Sequence, residues 1–357
     1  MEALRELVLR LFPSATIEGI RVLGADEAPS DATRKGAGYG VPVRVSLRDA
    51  SGMARALVFH TARADDFGHD RRSDRAQEML LAFDTFGRVP RHVPALDVGV
   101  IGADGALRSI ADAGELYLLT GWAEGELYAA DLRRIVRDGA TDRDRARVDV
   151  LAGYLAGLHA ERGGRPAVYR RAVRDLVGAG EGIFGMIDGY PDDVPAAPPA
   201  RLRAIEERCL AWRWQLRGRE HRLTRTHGDF HPFNLVFDDH DQLALLDASR
   251  GCAGDPADDL TALAVNYVFF ALDAPGAWRR GLGDLWHRLW TGWLDATGDR
   301  EVLEVAAPWL AWRALVVANP RWYPGLSAGG RDGLLRWIER VLDAPRLELA
   351  SADEVAS

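Results

Sequence analysis

The chain has 357 residues, a formal net charge of -8 at pH 7, and 47% hydrophobic against 27% charged residues. This balance is typical of a folded protein with two domains or lobes, and it excludes disordered, collagen-like and fibrous classes. The acidic charge gives no basic footprint for nucleic acid, and two cysteines cannot build a disulfide framework. Because the sequence has neither a signal-peptide pattern nor a long apolar run, we expect a cytoplasmic protein that binds neither nucleic acid nor membrane.

The first third of the chain mixes helix and strand patterns. MEALRELVLRLF has its apolar residues at helical spacing and predicts an amphipathic helix. IRVLG, VPVRVSL and RALVFHT predict three antiparallel strands, with a turn at 49–52 before the last of them. A helical period follows at 71–86, and ALDVGVIG and ELYLLTGW then predict two further strands around a turn at 104–105.

Helical patterns dominate the remainder of the chain. The predicted helices cover 142–160, 200–216, 278–296, 301–317 and 331–342. We therefore predict an α+β fold with a β-rich N-terminal lobe at 1–119, a hinge at 120–125 and a helical C-terminal lobe at 126–357. One short β-rich island interrupts the helices, in which NLVF and LALL predict a hairpin with its turn at 238–242.

That island carries the polar residues on which the functional prediction depends. Asp229 and Asn234 come just before the hairpin and Asp247 just after it, so two carboxylates and an amide are expected at one edge. Phosphoryl transfer from a nucleotide needs a group that orients and deprotonates an acceptor hydroxyl, and oxygen ligands that hold Mg²⁺ against the phosphates. These three side chains are suited to both tasks.

The spacing of His227, Asp229 and Asn234 repeats that of the protein-kinase catalytic loop. With the loop HGDFHPFN and the following hairpin, nearly the whole chain resembles the aminoglycoside phosphotransferase and choline-kinase-like family of small-molecule kinases. The resemblance implies a two-lobed protein-kinase-like fold that binds ATP or GTP with Mg²⁺ between the lobes, the base lying at the hinge with Thr120 and Trp122. It also implies transfer of the γ-phosphate to a hydroxyl of an amino sugar, aminoglycoside, amino alcohol or sugar.

The same resemblance implies a role for each polar residue of the island. Asp229 corresponds to the catalytic base and His227 to a residue that organises its loop, while Asn234 and Asp247 correspond to the Mg²⁺ ligands. Two supporting positions are also implied. Asp259 would brace the catalytic loop from a helix N-terminus, and His159, in LAGYLAGLHAE, would lie near that loop.

On the nucleotide side, the sequence departs from the family pattern. Glu78 stands where the family's helix glutamate pairs with a strand lysine that holds the α- and β-phosphates, but the strand RALVFHT offers His60 at the lysine position. Histidine changes its charge between about pH 5 and 8, so phosphate binding would be weaker or pH-dependent. We expect His60 to face the phosphates and to pair with Glu78.

The missing charge has other candidate sources. Lys35 is the only lysine of the chain and precedes Gly36 and Gly38 in the glycine-rich stretch that would cover the phosphates, so we predict that these three residues bind the nucleotide. Arg63 is the other candidate to share this work with His60.

Two other functional classes stay open. In a pseudokinase or nucleotide-binding module, the loss of the lysine at His60 would have abolished transfer while binding persisted. In a metallohydrolase, a transition metal held by His227, Asp229, His231 and Asp247 would activate water. Because Asn234 and a β-rich first lobe serve a kinase and not a hydrolase, we rank the active kinase first and the hydrolase last.

Tryptophans are frequent in the last helices and allow two interpretations. They could form an aromatic cage for a cationic acceptor or pack in the core, and the common helix face of three of them favours the core. The residues concerned are Trp286, Trp290, Trp293, Trp309 and Trp312.

Overall fold

The computed structural model describes residues 1–23, 42–248 and 250–356. The chain folds into two compact units, Met1–Thr120 and Gly121–Ser357. Strands concentrate in the first unit and helices in the second, which confirms the predicted α+β class. Among the described residues, none of the helices combines the length and the apolar character that crossing a membrane requires.

The described part of the first unit contains helices and short strands in alternation. They are α1 (Glu2–Leu11), β1 (Thr16–Val22), β2 (Val43–Arg48), β3 (Ala54–Phe59), α2 (Arg72–Phe86), β4 (Gly99–Ile101) and β5 (Leu107–Ser109). The strands β1, β2 and β3 form an antiparallel sheet in that order, as the alternation in the sequence predicts. Val45 and Leu47 point to the same face of β2 and pack with Leu4 and Val8 of α1 in a small core.

One predicted strand of this unit is wrong. The segment ELYLLTGW forms no strand, and its Leu118 and Leu119 are each 88% exposed. The partner of β4 is instead β5, with Leu107 opposite Ile101. Gly105, at φ +77°, and the Asp104 carboxylate close a tight turn between the two strands. The segment directly after this turn therefore pairs with β4, and the later segment ELYLLTGW does not.

The second unit is mainly helical. Its helices are α3 (Tyr128–Asp138), α4 (Asp142–His159), α5 (Pro166–Gly178), α6 (Ile183–Asp188), α7 (Pro199–Leu216), α8 (Pro256–Ala271), α9 (Gly283–Thr297), α10 (Val302–Val305), α11 (Ala307–Ala318), α12 (Ala328–Asp343) and α13 (Asp353–Ala356), with short turns at Glu220–Arg222, Trp278–Leu282 and Leu349–Ala352. Its strands are β6 (Glu126–Leu127), β7 (Thr224–Arg225), β8 (Leu235–Phe237), β9 (Leu243–Leu245) and β10 (Ala253–Gly254). Four of the five predicted helices occur within this set, and the fifth, at 301–317, is divided into α10 and α11.

Local side-chain chemistry explains where the site-bearing elements begin. Asp255 caps α8 by accepting a hydrogen bond from the backbone N–H of Ala257 at 3.0 Å, and Pro256 occupies the first helical position. Asp238 closes the β8–β9 turn, because its carboxylate accepts the backbone N–H groups of His240 and Gln242, each at 2.8 Å. The hairpin is therefore where the sequence predicts it.

The tryptophans of the last helices pack in the core of this unit. Trp286, Trp290 and Trp293 on α9 have no exposed surface, and Trp309 and Trp312 on α11 are 2% and 4% exposed. The core-packing interpretation is confirmed, and these indoles form no open cage for a cationic acceptor.

Candidate active site

The segment between β7 and β8 forms a buried loop that carries Asp229. Phe230 anchors this loop in the core, where its ring stacks on Tyr154 at 6.0 Å and meets the edge of His227 at 5.7 Å. Gly228 adopts φ +83°, and a Cβ at this position would lie 2.9 Å from the carbonyl oxygen of Gly251. Only glycine fits this turn, which precedes Asp229, without strain.

Asp259 of α8 fixes the start of the loop. One oxygen of its carboxylate accepts the backbone N–H of His227 and the other that of Gly228, each at 2.8 Å. His159 Nε2 lies 3.1 Å from the same carboxylate, while Trp293 Nε1–H donates to His159 Nδ1 at 3.0 Å. Because Nδ1 accepts, the proton of the imidazole resides on Nε2 and is donated to Asp259. These contacts confirm that Asp259 braces the loop and that His159 lies near it.

Arginine and histidine side chains lie next to the Asp229 carboxylate. Arg313 Nη1 donates to Oδ1 at 2.8 Å, and His231 Nε2 lies 3.6 Å from Oδ2. Burial by itself would raise the pKa of Asp229, but His231 and the charges of Arg313 and Arg250 outweigh it and hold this pKa well below its usual range. Asp229 is therefore ionised throughout the physiological pH range and has a fixed orientation.

Arg313, on α11, links the catalytic loop to α8. Besides its bond to Asp229, its Nη2 donates to the Gly228 carbonyl at 2.9 Å and to Asp258 Oδ1 at 2.6 Å. The guanidinium is buried, and the neighbouring carboxylates raise its pKa although burial opposes this, so it carries a permanent charge. Burial in turn raises the pKa of Asp258 to about 6, despite the ion pair with Arg313.

Asn234 and Asp247 lie at the open end of the hairpin. The Asn234 amide nitrogen donates to the Asp229 carbonyl at 3.0 Å, which leaves its Oδ1 as the atom available for a ligand. The backbone N–H of Leu246 donates to the Asn234 carbonyl at 2.9 Å, so the chain brings Asp247 next to Asn234. Asp247 is exposed and has φ +51°. An amide oxygen beside an exposed carboxylate is a donor set that fits Mg²⁺.

The residue set of the hydrolase alternative does not form a metal cluster. His227 Nδ1 accepts the Asp229 backbone N–H at 3.3 Å, and His231 Nδ1 accepts that of Phe233 at 3.2 Å. Within residues 1–23, 42–248 and 250–356, no three or more His, Cys, Asp or Glu side chains are arranged to hold a metal ion.

The residues predicted to bind the nucleotide phosphates lie in the first unit. His60 directly follows β3 and is exposed. The Glu78 carboxylate lies 3.4 Å from His69 Nε2, and the described residues contain no ion pair between Glu78 and His60. Glu78 thus lies beside His69 and is not paired with His60 in this structure, and the roles of His60 and Glu78 at the phosphates stay predictions. Lys35, Gly36 and Gly38 lie outside the described residues.

The residues predicted to contact the nucleotide base lie where the two units join in the chain. Thr120 is the last residue of the first unit and Trp122 lies two residues further on; both are exposed, and Trp122 is 85% exposed. Their role at the base stays a prediction.

Two cationic residues of the site were not predicted from the sequence. Arg313 is the only charged residue in the otherwise apolar helix APWLAWRALVVA, and this isolated charge was the available signal. Arg250 follows Asp247 by three residues and lies against Gly228, with its Cβ 3.4 Å from the position of a Gly228 Cβ. Nothing in its immediate sequence distinguishes Arg250 from the many other arginines.

Solved structures offer only distant likenesses. A glucosamine kinase (crystal form B) matches at 17% identity and TM-score 0.38, over 61% of this chain and 56% of its own. The choline kinase LicA from Streptococcus pneumoniae matches at 11% identity and TM-score 0.36, over 96% and 98%. The ADP-bound aminoglycoside phosphotransferase APH(2'')-Ib matches at 13% identity and TM-score 0.33, over 98% of each chain. Scores this low support no conclusion about this chain.

The length of chain that is matched, and the comparison with a family model, are more informative than these TM-scores. The match spans little more than half of the length of the glucosamine kinase in two structures, 56% and 57%, and 91% of it in a third. No curated protein matches the sequence significantly. A family model described as the phosphotransferase enzyme family, however, matches residues 71–296, which is more than half of the sequence. This match confirms the resemblance carried by HGDFHPFN, and the chain belongs to the phosphotransferase enzyme family.

Proposed function

We propose that the protein is a Mg²⁺-dependent kinase that transfers the γ-phosphate of ATP or GTP to a hydroxyl group of a small molecule. The observation that supports this most directly is the arrangement at one end of the hairpin. There the Asn234 side chain donates to the backbone carbonyl of Asp229, whose own carboxylate is ionised and immobilised, and Asp247 is adjacent.

Asp229 would orient the acceptor. Its Oδ1 accepts a hydrogen bond from Arg313, whereas Oδ2 lies 3.6 Å from His231 and can accept a hydrogen bond from a substrate hydroxyl. A carboxylate with a lowered pKa is a weak base, so its contribution lies mainly in positioning the hydroxyl, with proton transfer late in the reaction. That suits a loose phosphoryl-transfer transition state, in which the attacking oxygen gains little bond order before the leaving group departs.

The remaining residues would hold the loop and the phosphates. Asn234 Oδ1 and the Asp247 carboxylate would be the protein ligands of Mg²⁺, which when bound neutralises charge on the phosphates. Asp259 and His159 keep the loop backbone fixed, so Asp229 needs little rearrangement when substrate binds.

The test has two parts that separate binding from transfer. Millimolar Mg·ATP or Mg·GTP should raise the melting temperature of the protein, and the rise should shrink when EDTA removes Mg²⁺. ADP or GDP release should then be screened across amino sugars, aminoglycosides, amino alcohols and sugars, and across hydroxy acids and phosphorylated alcohols. Absence of any nucleotide-induced shift would contradict the proposal, whereas a shift without transfer to any acceptor would favour the nucleotide-binding alternative.

A further inference from the structure

Two guanidinium groups flank one indole beside the catalytic loop. The guanidinium carbon of Arg313 lies 4.0 Å from the centre of the Trp312 ring, and that of Arg250 lies 4.8 Å from it. Trp312 is held in place because its Nε1–H donates to the Glu181 carbonyl at 2.8 Å. The stacking holds both guanidinium groups at one indole, and the charge of each acts on Asp229.

The acidic groups around these arginines already have cationic partners. Asp229 and Asp258 each accept a hydrogen bond from Arg313, at 2.8 and 2.6 Å. Glu181 lies 3.5 Å from Arg250 and its side chain is 80% exposed. An ammonium group on a substrate would therefore find no unpaired buried carboxylate among the described residues of this cluster, and it would be repelled by two guanidinium ions.

The N–H donors of the two arginines, in contrast, do not all have a hydrogen-bond partner. Arg250 Nη1 and Arg313 Nε are buried, and neither has a hydrogen-bond partner among the described residues. An unsatisfied buried donor costs roughly 1–3 kcal/mol, and more when it belongs to a charged group. Arg313 is more than nine-tenths buried, whereas the side chain of Arg250 keeps 30% of its surface exposed, so a ligand can reach Arg250 first.

We propose that Arg250 and Arg313 form an anion-binding site that holds an acidic group of the acceptor, a carboxylate or phosphate, beside the hydroxyl that Asp229 orients. Guanidinium groups bind such oxygens through short, charge-assisted hydrogen bonds, which the unpaired Nη1 and Nε can donate. The inference rests on the proposed kinase function and narrows its acceptors to hydroxy acids and phosphorylated alcohols, away from amines. A nucleotide phosphate has the same oxygen chemistry, and the test must separate the two sources.

The test uses malonate, a dicarboxylate without a hydroxyl group, and propane-1,3-diamine, which has the same three-carbon length but cationic ends. Binding of each to the full chain is measured by isothermal titration calorimetry, alone and with saturating Mg·AMP-PNP. Malonate should bind in both conditions and the diamine in neither. Arg250→Gln should weaken malonate binding at least tenfold and Arg250→Lys less. Arg217→Gln is the control and should leave malonate binding unchanged. Arg217 also stacks on an indole, that of Trp214 at 5.2 Å, but it lies at the end of α7 and outside this cluster.

Each other outcome contradicts the proposal. No malonate binding by the wild type, equal binding by Arg250→Gln, or preference for the diamine would exclude an anion site at these residues. Loss of malonate binding when Mg·AMP-PNP is present would assign the site to a nucleotide phosphate and remove the claim about the acceptor. Failure of the kinase proposal itself is seen separately, as absence of AMP-PNP binding in the same titrations.

Discussion

Replacing Arg313 with glutamine should destabilise the protein in a pH-dependent way. The substitution keeps a polar side chain of similar length but removes the charge that pairs with both Asp229 and Asp258. Asp229 is buried, and the Asp258 side chain keeps only 13% of its surface exposed. Breaking a buried ion pair from one side costs about 3–5 kcal/mol, because the partner charge stays behind without compensation. We expect the free energy of unfolding at pH 8 to fall by that amount.

The pH dependence follows from Asp258. Burial raises the pKa of Asp258 to about 6 in the folded wild type, above its pKa in the unfolded chain. Between these two pKa values the folded protein holds a proton at Asp258 that the unfolded chain has lost. The free energy of unfolding therefore declines as the pH rises through that range. Without Arg313, whose charge lowers it, this pKa should rise further. Protonation of Asp258 at pH 5.5 should then restore part of the stability lost at pH 8.

The assay is urea unfolding at pH 5.5 and pH 8 of the wild type, Arg313→Gln and Arg313→Lys. The lysine variant retains the charge and should lose less. Arg203→Gln is the control, because the Arg203–Glu207 pair is exposed on α7 and such pairs contribute about 0–1 kcal/mol. A loss below about 1 kcal/mol for Arg313→Gln at pH 8, or an equal loss at both pH values, would refute this account of the cluster.

Three further predictions concern the proposed chemistry. Asp229→Asn should cut turnover by roughly 10²- to 10⁴-fold and leave nucleotide affinity within about twofold, as measured by nucleotide release and calorimetry, because it removes a positioned base and no metal ligand. Asp247→Ala should lower nucleotide affinity as well as rate, and only when Mg²⁺ is present; equal affinity losses in both variants would undo these roles. If His60 contacts the phosphates, nucleotide affinity should weaken from about pH 5.5 to 8.5 in the wild type but not in His60→Lys, whereas a flat wild-type profile matched by His60→Ala would make His60 a bystander.

Patterns that are local in the chain predicted the fold well. The β2 segment alternates between buried Val45 and Leu47 and polar neighbours, and a tight turn follows it, so the sheet could be inferred from a short window of sequence. The segment ELYLLTGW has equal strand propensity, yet it forms no strand because no described segment pairs with it. Strand propensity shows that a segment suits the half-buried surface of a sheet, but whether the segment pairs depends on distant parts of the chain.

The same distinction explains which site residues were predicted. Asp229 and Asn234 are five residues apart and Asp247 lies across one hairpin, so their proximity follows from local geometry. Arg313 is 84 residues from Asp229 and reaches it only because α11 packs against α8. No spacing rule indicates such a contact. The contact between His69 and Glu78 was likewise not predicted, because the sequence does not show which histidine lies beside Glu78.

The bracing of the catalytic loop by Asp259 has a consequence for amide hydrogen exchange. Loop amides ordinarily exchange quickly because they face water, but those of His227 and Gly228 donate to a fully buried carboxylate. They can exchange only when α8 separates from α4 and α9, which hold that carboxylate through His159 and Trp293. These two loop amides should therefore belong to the slowest-exchanging class, together with the centres of the buried helices, and report on opening of the whole helical unit.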